Sequence, residues 1–215
     1  MSVLDSYPQA IHNLIDHLGL MNLHAYFDGH YPRFELGVRM LSENLTFDEK
    51  SQILELGSPL PFYSYPFVKL HRSHAMVLDL SIESPYWFED IYFDSFNICN
   101  DKLAINSWDL IIMTEVWEHL PCNLLEVRNQ VVDAIKHGGF LYTSFPLLGK
   151  NASMENYNKV WTPDFSKSYE HLREFTEETA REFLDMPELK ILAEANVFTN
   201  AYHFYIKQVL VAKCG

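Results

Sequence analysis

Apolar residues recur at helical spacing over residues 8–25, where Ile11, Leu14, Ile15, Leu18 and Met21 fall on one face and predict an amphipathic helix. Asp28-Gly29 and Pro32 signal a turn, after which Phe34, Val38, Leu41 and Leu45 form the stripe of a second helix over 33–45. From Ser51 the pattern changes to short apolar runs. Residues 52–57, 75–80, 90–96 and 108–114 read as strands buried on both faces, with Trp108-Asp-Leu-Ile-Ile-Met-Thr114 the clearest of them. A helix is predicted over 121–137, burying Leu120, Leu124, Val127, Val131 and Ile135, with Pro121 in its first turn and Gly138 as a left-handed cap. Phe140 to Phe145 is the next strand, stopped by Pro146.

Residues 149–170 are polar, aromatic and aperiodic, the mark of a long loop that is functional or mobile. Thr176-Glu-Glu opens a last helix that buries Ala180, Phe183 and Leu184, and runs at 189–197 and 203–212 read as an antiparallel pair. Strands alternating with helices from 51 to 146 imply an α/β fold with a parallel sheet and right-handed crossovers. The expected division is a helical cap over 1–46 followed by the sheet domain over 47–215.

Charge narrows the partners. The 16 Lys and Arg stand against 29 Asp and Glu for a net charge of −13, so the basic stripe that nucleic-acid phosphates require is missing. No run of 18 apolar residues predicts a membrane span, and the first residues lack the basic and apolar regions of a signal peptide. Cys99, Cys122 and Cys214 lie far apart and read as reduced thiols in a cytoplasmic protein. Aromatic residues gather after Gly57 and Gly149, where they line a ligand cavity or fill an ordinary core.

Four segments carry a resemblance in their order and spacing. Ile53-Leu-Glu-Leu-Gly57, Val77-Leu-Asp-Leu-Ser81, the stretch from Trp108 through Glu115, Glu118 and His119 to Leu120, and Gly138-Gly-Phe-Leu-Tyr-Thr-Ser-Phe-Pro146 together resemble class I S-adenosylmethionine-dependent methyltransferases over residues 30–213. His171-Leu-Arg-Glu-Phe-Thr176 is similar to a segment found after the fifth strand in small-molecule members. The resemblance implies a Rossmann-like fold: a seven-stranded, mostly parallel sheet with a C-terminal antiparallel hairpin and helices on both faces. It also implies S-adenosylmethionine as cofactor and a small polar acceptor, a sugar or biosynthetic intermediate, methylated at oxygen or nitrogen by a monomer or homodimer.

The same resemblance assigns roles to residues. Glu55, Gly57 and Ser58 form the first-strand turn against the cofactor, Asp79 takes the ribose hydroxyls, and Asn97 and Ile98 stand where the adenine is met. Thr114 and Glu115 lie beside the methionine end, whose carboxylate meets Arg33 in preference to Arg39. Glu118, His119 and His171 are the catalytic candidates. An imidazole is suited to accept a proton near neutral pH, although Glu118 and His119 can equally orient a loop or cap a helix. Tyr157 and Trp161 are candidates for substrate contact, and His71 and His74 read as surface residues. Glu115 and His119 have the i, i+4 spacing of a metal pair, but no third ligand is evident nearby and no metal is expected.

One departure from the resemblance stands out. The family pattern E-x-G-x-G-x-G is here Glu55-Leu-Gly57-Ser-Pro59-Leu-Pro61, and proline fixes φ and removes backbone donors. A reshaped cofactor turn and a non-catalytic binding or assembly protein of the same fold both remain open. A cavity left above Gly57 and beside Asp79 favours the enzyme, whereas Pro59, Phe62 or Tyr63 filling that volume favours the binding protein.

Overall fold

In the computed structural model, which describes residues 3–148, 153–160, 171–199 and 204–214, two helices precede the first strand. They are α1 (Val3–Leu18) and α2 (Leu23–Asn44). The turn expected around Asp28-Gly29 and Pro32 does not form: α2 runs through both. Burial of Phe27, Phe34, Val38 and Leu41 along one stripe outweighs the hydrogen bond that Pro32 cannot donate.

The sheet follows as β1 (Gln52–Leu56), α3 (Tyr65–His71), β2 (His74–Leu78), β3 (Tyr86–Phe88), β4 (Ile91–Asp94) and β5 (Trp108–Thr114). Then come α4 (Leu124–Ala134), β6 (Ile135–Leu147), a single turn α5 (Met154–Tyr157), α6 (Glu177–Leu184), β7 (Leu189–Thr199) and β8 (Phe204–Lys213). The strand order is β3-β4-β2-β1-β5-β6-β8-β7. Strands β4, β2, β1, β5 and β6 are parallel, and β8 lies antiparallel between β6 and β7. This is the expected Rossmann-like sheet and hairpin, with β3 added as a short antiparallel eighth strand at the edge.

Alternate strand residues feed two cores. Ile53, Leu110, Ile112, Tyr142 and Leu210 face α1, α2 and α3, whereas Leu54, Ile111, Met113, Leu141 and Val209 face α4 and α6. That period of two is why the strands were legible as continuous apolar runs. At Gly37 the helix α2 comes so close to the sheet that a Cβ would stand 2.2 Å from the Tyr142 hydroxyl.

Several boundaries differ from expectation. Helix α1 ends at Leu18 and not at 25: Gly19, with φ 70°, ends it, and Met21 stands exposed in the turn before α2. Helix α4 starts later, capped by the Asn123 side chain accepting from Leu125 N–H at 3.0 Å, and ends at Ala134, so Gly138 with φ 75° serves an irregularity at the start of β6 rather than a helix cap. Strand β6 continues through Pro146, because beyond Ser144 its β5 side carries no ladder for a missing N–H to break. The cysteine reading is also corrected. The loop after β4 packs against the entry to α4 and joins Cys99 to Cys122 in a disulfide, Cα atoms 5.6 Å apart, leaving Cys214 as the free thiol. This removes the cysteine-based argument for a reducing compartment. Among the described residues, no helix is long and apolar enough to cross a membrane.

Candidate functional site

The site grows from the carboxyl ends of β1 and β5. Gly57 ends β1 with φ 71°, and a Cβ there would lie 2.4 Å from Val116 Cγ2, so only glycine fits. Its N–H donates to the Leu78 carbonyl at 2.8 Å, which joins the turn to the end of β2. The proline-bearing loop then folds back over Glu55. That carboxylate is 2% exposed and accepts from Tyr63 N–H (3.2 Å), Ser64 N–H (2.9 Å) and Ser64 Oγ–H (2.6 Å). The loop is thus held from below by three donors, and Glu55 lies beneath the cavity wall rather than in it.

Burial pushes the Glu55 carboxyl up to about 7 against the pull of these hydrogen bonds. The folded protein therefore holds a proton between pH 4.5 and 7 that the unfolded chain has released, and stability falls as pH rises through that window. The full loss is at most about 3 kcal/mol. We expect the stability of the wild type relative to Glu55→Gln, from urea denaturation, to be greater at pH 5 than at pH 8 by about 2–3 kcal/mol. A difference that stays flat with pH would show a carboxylate ionised throughout.

At the end of β5 the chain turns sharply through Glu115, whose φ of 54° is unusual for a residue with a side chain. Ser144 on β6 holds it there, accepting from Glu115 N–H at 3.1 Å and donating to Oε1 at 2.7 Å. Arg33 of α2 reaches the same place. It is 5% exposed, with Nη1 3.6 Å from Glu115 Oε2, Nη2 donating to the Tyr26 hydroxyl and the guanidinium 4.8 Å above the Phe34 ring. Burial raises the Glu115 carboxyl, and the Arg33 charge opposes the shift.

The next turn, a 3-10 helix over Trp117–His119, is fixed by Trp117 Nε1–H donating to Thr143 Oγ1 at 2.7 Å. It carries Glu118, which is 1% exposed; burial pushes its carboxyl well up, and Glu115 adds to the shift. His119 lies beside it, with Nε2 3.7 Å from Glu118 Oε1. His171, distant in sequence, packs edge-on against His119 at 4.8 Å between ring centres. Burial lowers the His171 imidazole to about 4.

Together these elements enclose a cavity of about 680 Å³, within the roughly 300–1,000 Å³ of ligand pockets. Arg33, Gly57, Ser58, Thr114, Glu115, Glu118, His119 and His171 all line it. Pro59 and Phe62 form part of its wall without closing it, and Tyr63 is buried in the core behind.

Other candidates lie elsewhere. Asp79, just past β2, accepts from Ser81 N–H and Oγ–H at 2.7 and 2.5 Å and is not part of the lining, so the cavity lies at Gly57 as the enzyme reading expects but does not reach Asp79. Asn97 folds into a turn, its side chain accepting from Cys99 N–H at 3.0 Å, and the Ile98 carbonyl accepts from Gln130 at 3.3 Å. Tyr157 is wholly buried among Phe175 and Phe183 with its hydroxyl donating to the Glu174 carbonyl, so it is a core residue and not a substrate contact. Trp161 lies outside the described residues. Arg39 pairs with Glu35 at 2.9 Å on the exposed side of α2, and His71 and His74 are exposed as expected. Tyr26 and Phe204 line the cavity and were not singled out in the sequence.

No protein-family model and no curated protein matches the chain. Solved structures do match it in shape. A protein described as a sarcosine dimethylglycine methyltransferase of Galdieria sulphuraria superposes with a TM-score of 0.63 at 12% identity, covering 86% of each chain. A Haloferax volcanii structure of the Trm112 methyltransferase activator with a methyltransferase gives 0.65 at 12%, covering 89% of this chain and 94% of that one. An S-adenosylmethionine-dependent methyltransferase of Methanosarcina mazei gives 0.58 at 15%, covering 81% and 97%. The fold is that of the class I S-adenosylmethionine-dependent methyltransferases.

Proposed function

We propose that this chain is an S-adenosylmethionine-dependent methyltransferase acting on a small polar molecule, a sugar or biosynthetic intermediate, at oxygen or nitrogen. The observation that carries this reading is the open cavity at the carboxyl ends of β1 and β5, with a glycine cradle at Gly57 and a buried cation, Arg33, beside Glu115. Open α/β sheets take their ligands at that edge. The cofactor fits these residues: Gly57 admits close approach, Arg33 suits its carboxylate, and Glu115 suits its amino group. Asp79 is assigned to the ribose hydroxyls, and Asn97 and Ile98 to the adenine, from their places just past β2 and β4.

When bound, the cofactor supplies a methyl group already activated on a sulfonium. The protein then has to align the acceptor and exclude water. Residues 1–46 act as a helical cap, with Leu23, Tyr26 and Phe34 of α2 forming the apolar side of the chamber. Glu118, His119 and His171 form the acceptor-facing wall. His119 would take the proton of an acceptor hydroxyl at its imidazole nitrogen, freeing the oxygen to receive the methyl group that the cofactor would supply. With a net charge of −13, the molecule suits a small acceptor and not a nucleic acid.

Calorimetric titration with S-adenosylmethionine and S-adenosylhomocysteine tests this reading. Micromolar binding is expected, weakened at least about tenfold by Asp79→Ala, the loss of one hydrogen-bonded recognition group. No heat at millimolar ligand from a folded protein would overturn it in favour of a binding protein of the same fold.

A further inference from the structure

Three of the cavity residues share an arrangement that methyl transfer alone does not require. Glu118, His119 and His171 each present one donor atom, and the three atoms lie within 4.8 Å of one another. The set is held on rigid supports. Glu118 and His119 sit on the turn fixed by Trp117, and the Glu118 carbonyl accepts from Leu172 N–H at 2.8 Å and Arg173 N–H at 3.3 Å, which brings His171 alongside. The Arg173 guanidinium clamps the same turn through the carbonyls of Leu120 and Cys122.

Within this set the Glu118 side chain is 1% exposed, and neither carboxylate oxygen has a hydrogen-bond partner among the described residues. A carboxylate taken out of water with nothing bound to it is costly, and a coordinated cation is one of the few partners that offsets the loss. Two imidazoles and one carboxylate are the donor set of zinc-class ions. Magnesium and calcium prefer oxygen throughout. Three protein ligands at the wall of an open cavity leave a coordination position for a further donor, as in catalytic zinc sites.

We propose that Glu118, His119 and His171 form a binding site for a zinc-class divalent cation whose free position faces the acceptor. The sequence spacing pointed to Glu115 as a partner of His119. In the fold Glu115 is engaged by Ser144 and faces Arg33, and Glu118 and His171 complete the set instead. The site itself stands independently of the cofactor. Its use rests on the methyltransferase reading, which it narrows to acceptors with oxygen or nitrogen donors able to join the ion. In the loaded form His119 is a ligand, and the charge of the cation, in place of the imidazole, would make an acceptor hydroxyl acidic enough to release its proton to solvent water.

The test is calorimetric titration of chelator-stripped protein with zinc chloride, without cofactor, repeated with cobalt to read its visible absorption. One equivalent binding at micromolar affinity or tighter is expected, with the cobalt band of a low-coordinate site. His171→Ala and Glu118→Gln should each weaken it at least about tenfold, a first ligand mattering no less than the outer partners of metal sites. His24→Ala, which removes the half-buried His12–His24 pair (2.7 Å between Nδ1 atoms), should leave it unchanged. Binding only at millimolar zinc, or binding that survives both ligand variants, would overturn the site and leave Glu118 as a buried neutral acid. Cofactor titration of the same stripped protein keeps the two readings apart. Cofactor binding without zinc binding sinks the metal site alone, and the reverse sinks the methyltransferase alone.

Discussion

Arg33→Met is expected to weaken S-adenosylhomocysteine binding at least about thirtyfold, because truncating one partner of a buried charge pair costs about 2–5 kcal/mol. The side chain is 5% exposed, stacked on Phe34 and bonded to Tyr26, so its charge is already desolvated and aimed before any ligand arrives. Methionine keeps the length and apolar stem and removes only the fork. The loss of fold is smaller than the loss of affinity. Glu115 and Glu118, whose carboxyls burial already raises, take up protons once the cation is gone. Arg33→Lys should fall between, keeping a charge but not the planar pair of donors. Calorimetry alongside a thermal melt separates the two effects. An unchanged affinity in a folded Arg33→Met variant would remove Arg33 from the cofactor site.

The sheet was legible because each central strand is buried on both faces and ends in a turn residue, as in Gln52–Gly57. The cavity was less so. Gly29 and Pro32 gave a local turn signal that burial of Phe27 and Phe34 overrides, and the resulting break hid the fact that Tyr26 and Arg33 lie on one helix face. Glu55 matched a cofactor motif, yet the loop bearing Pro59 and Pro61 turns its own Tyr63 and Ser64 donors onto it. The Cys99–Cys122 pair spans 23 residues and follows from tertiary packing that no spacing rule encodes. The meeting of His119 and His171 likewise depends on where the chain after β6 returns.

Arg173 ties that return to the carbonyls that follow the Trp117–His119 turn, and Arg173→Met is expected to cost about 2–4 kcal/mol of stability in urea denaturation. The guanidinium is 3% exposed and donates to three carbonyls from different parts of the chain: Leu120, Cys122 at 2.6 Å and Lys159 at 2.5 Å. Methionine fills the space but leaves the buried Leu120 carbonyl without its donor, at about 1–3 kcal/mol, and the part-buried Cys122 and Lys159 carbonyls at a smaller cost, since water reaches them. Arg173→Lys restores part of the loss, since one ammonium cannot spread over the same arc. Stability alone would not make Arg173 a positioning residue, so zinc affinity is the second measurement. If the guanidinium holds His171 against the Trp117–His119 turn, affinity falls in Arg173→Met and recovers partly in Arg173→Lys. If only stability falls, the backbone bonds from Leu172 and Arg173 to the Glu118 carbonyl suffice to place the imidazole, and the guanidinium serves the fold alone.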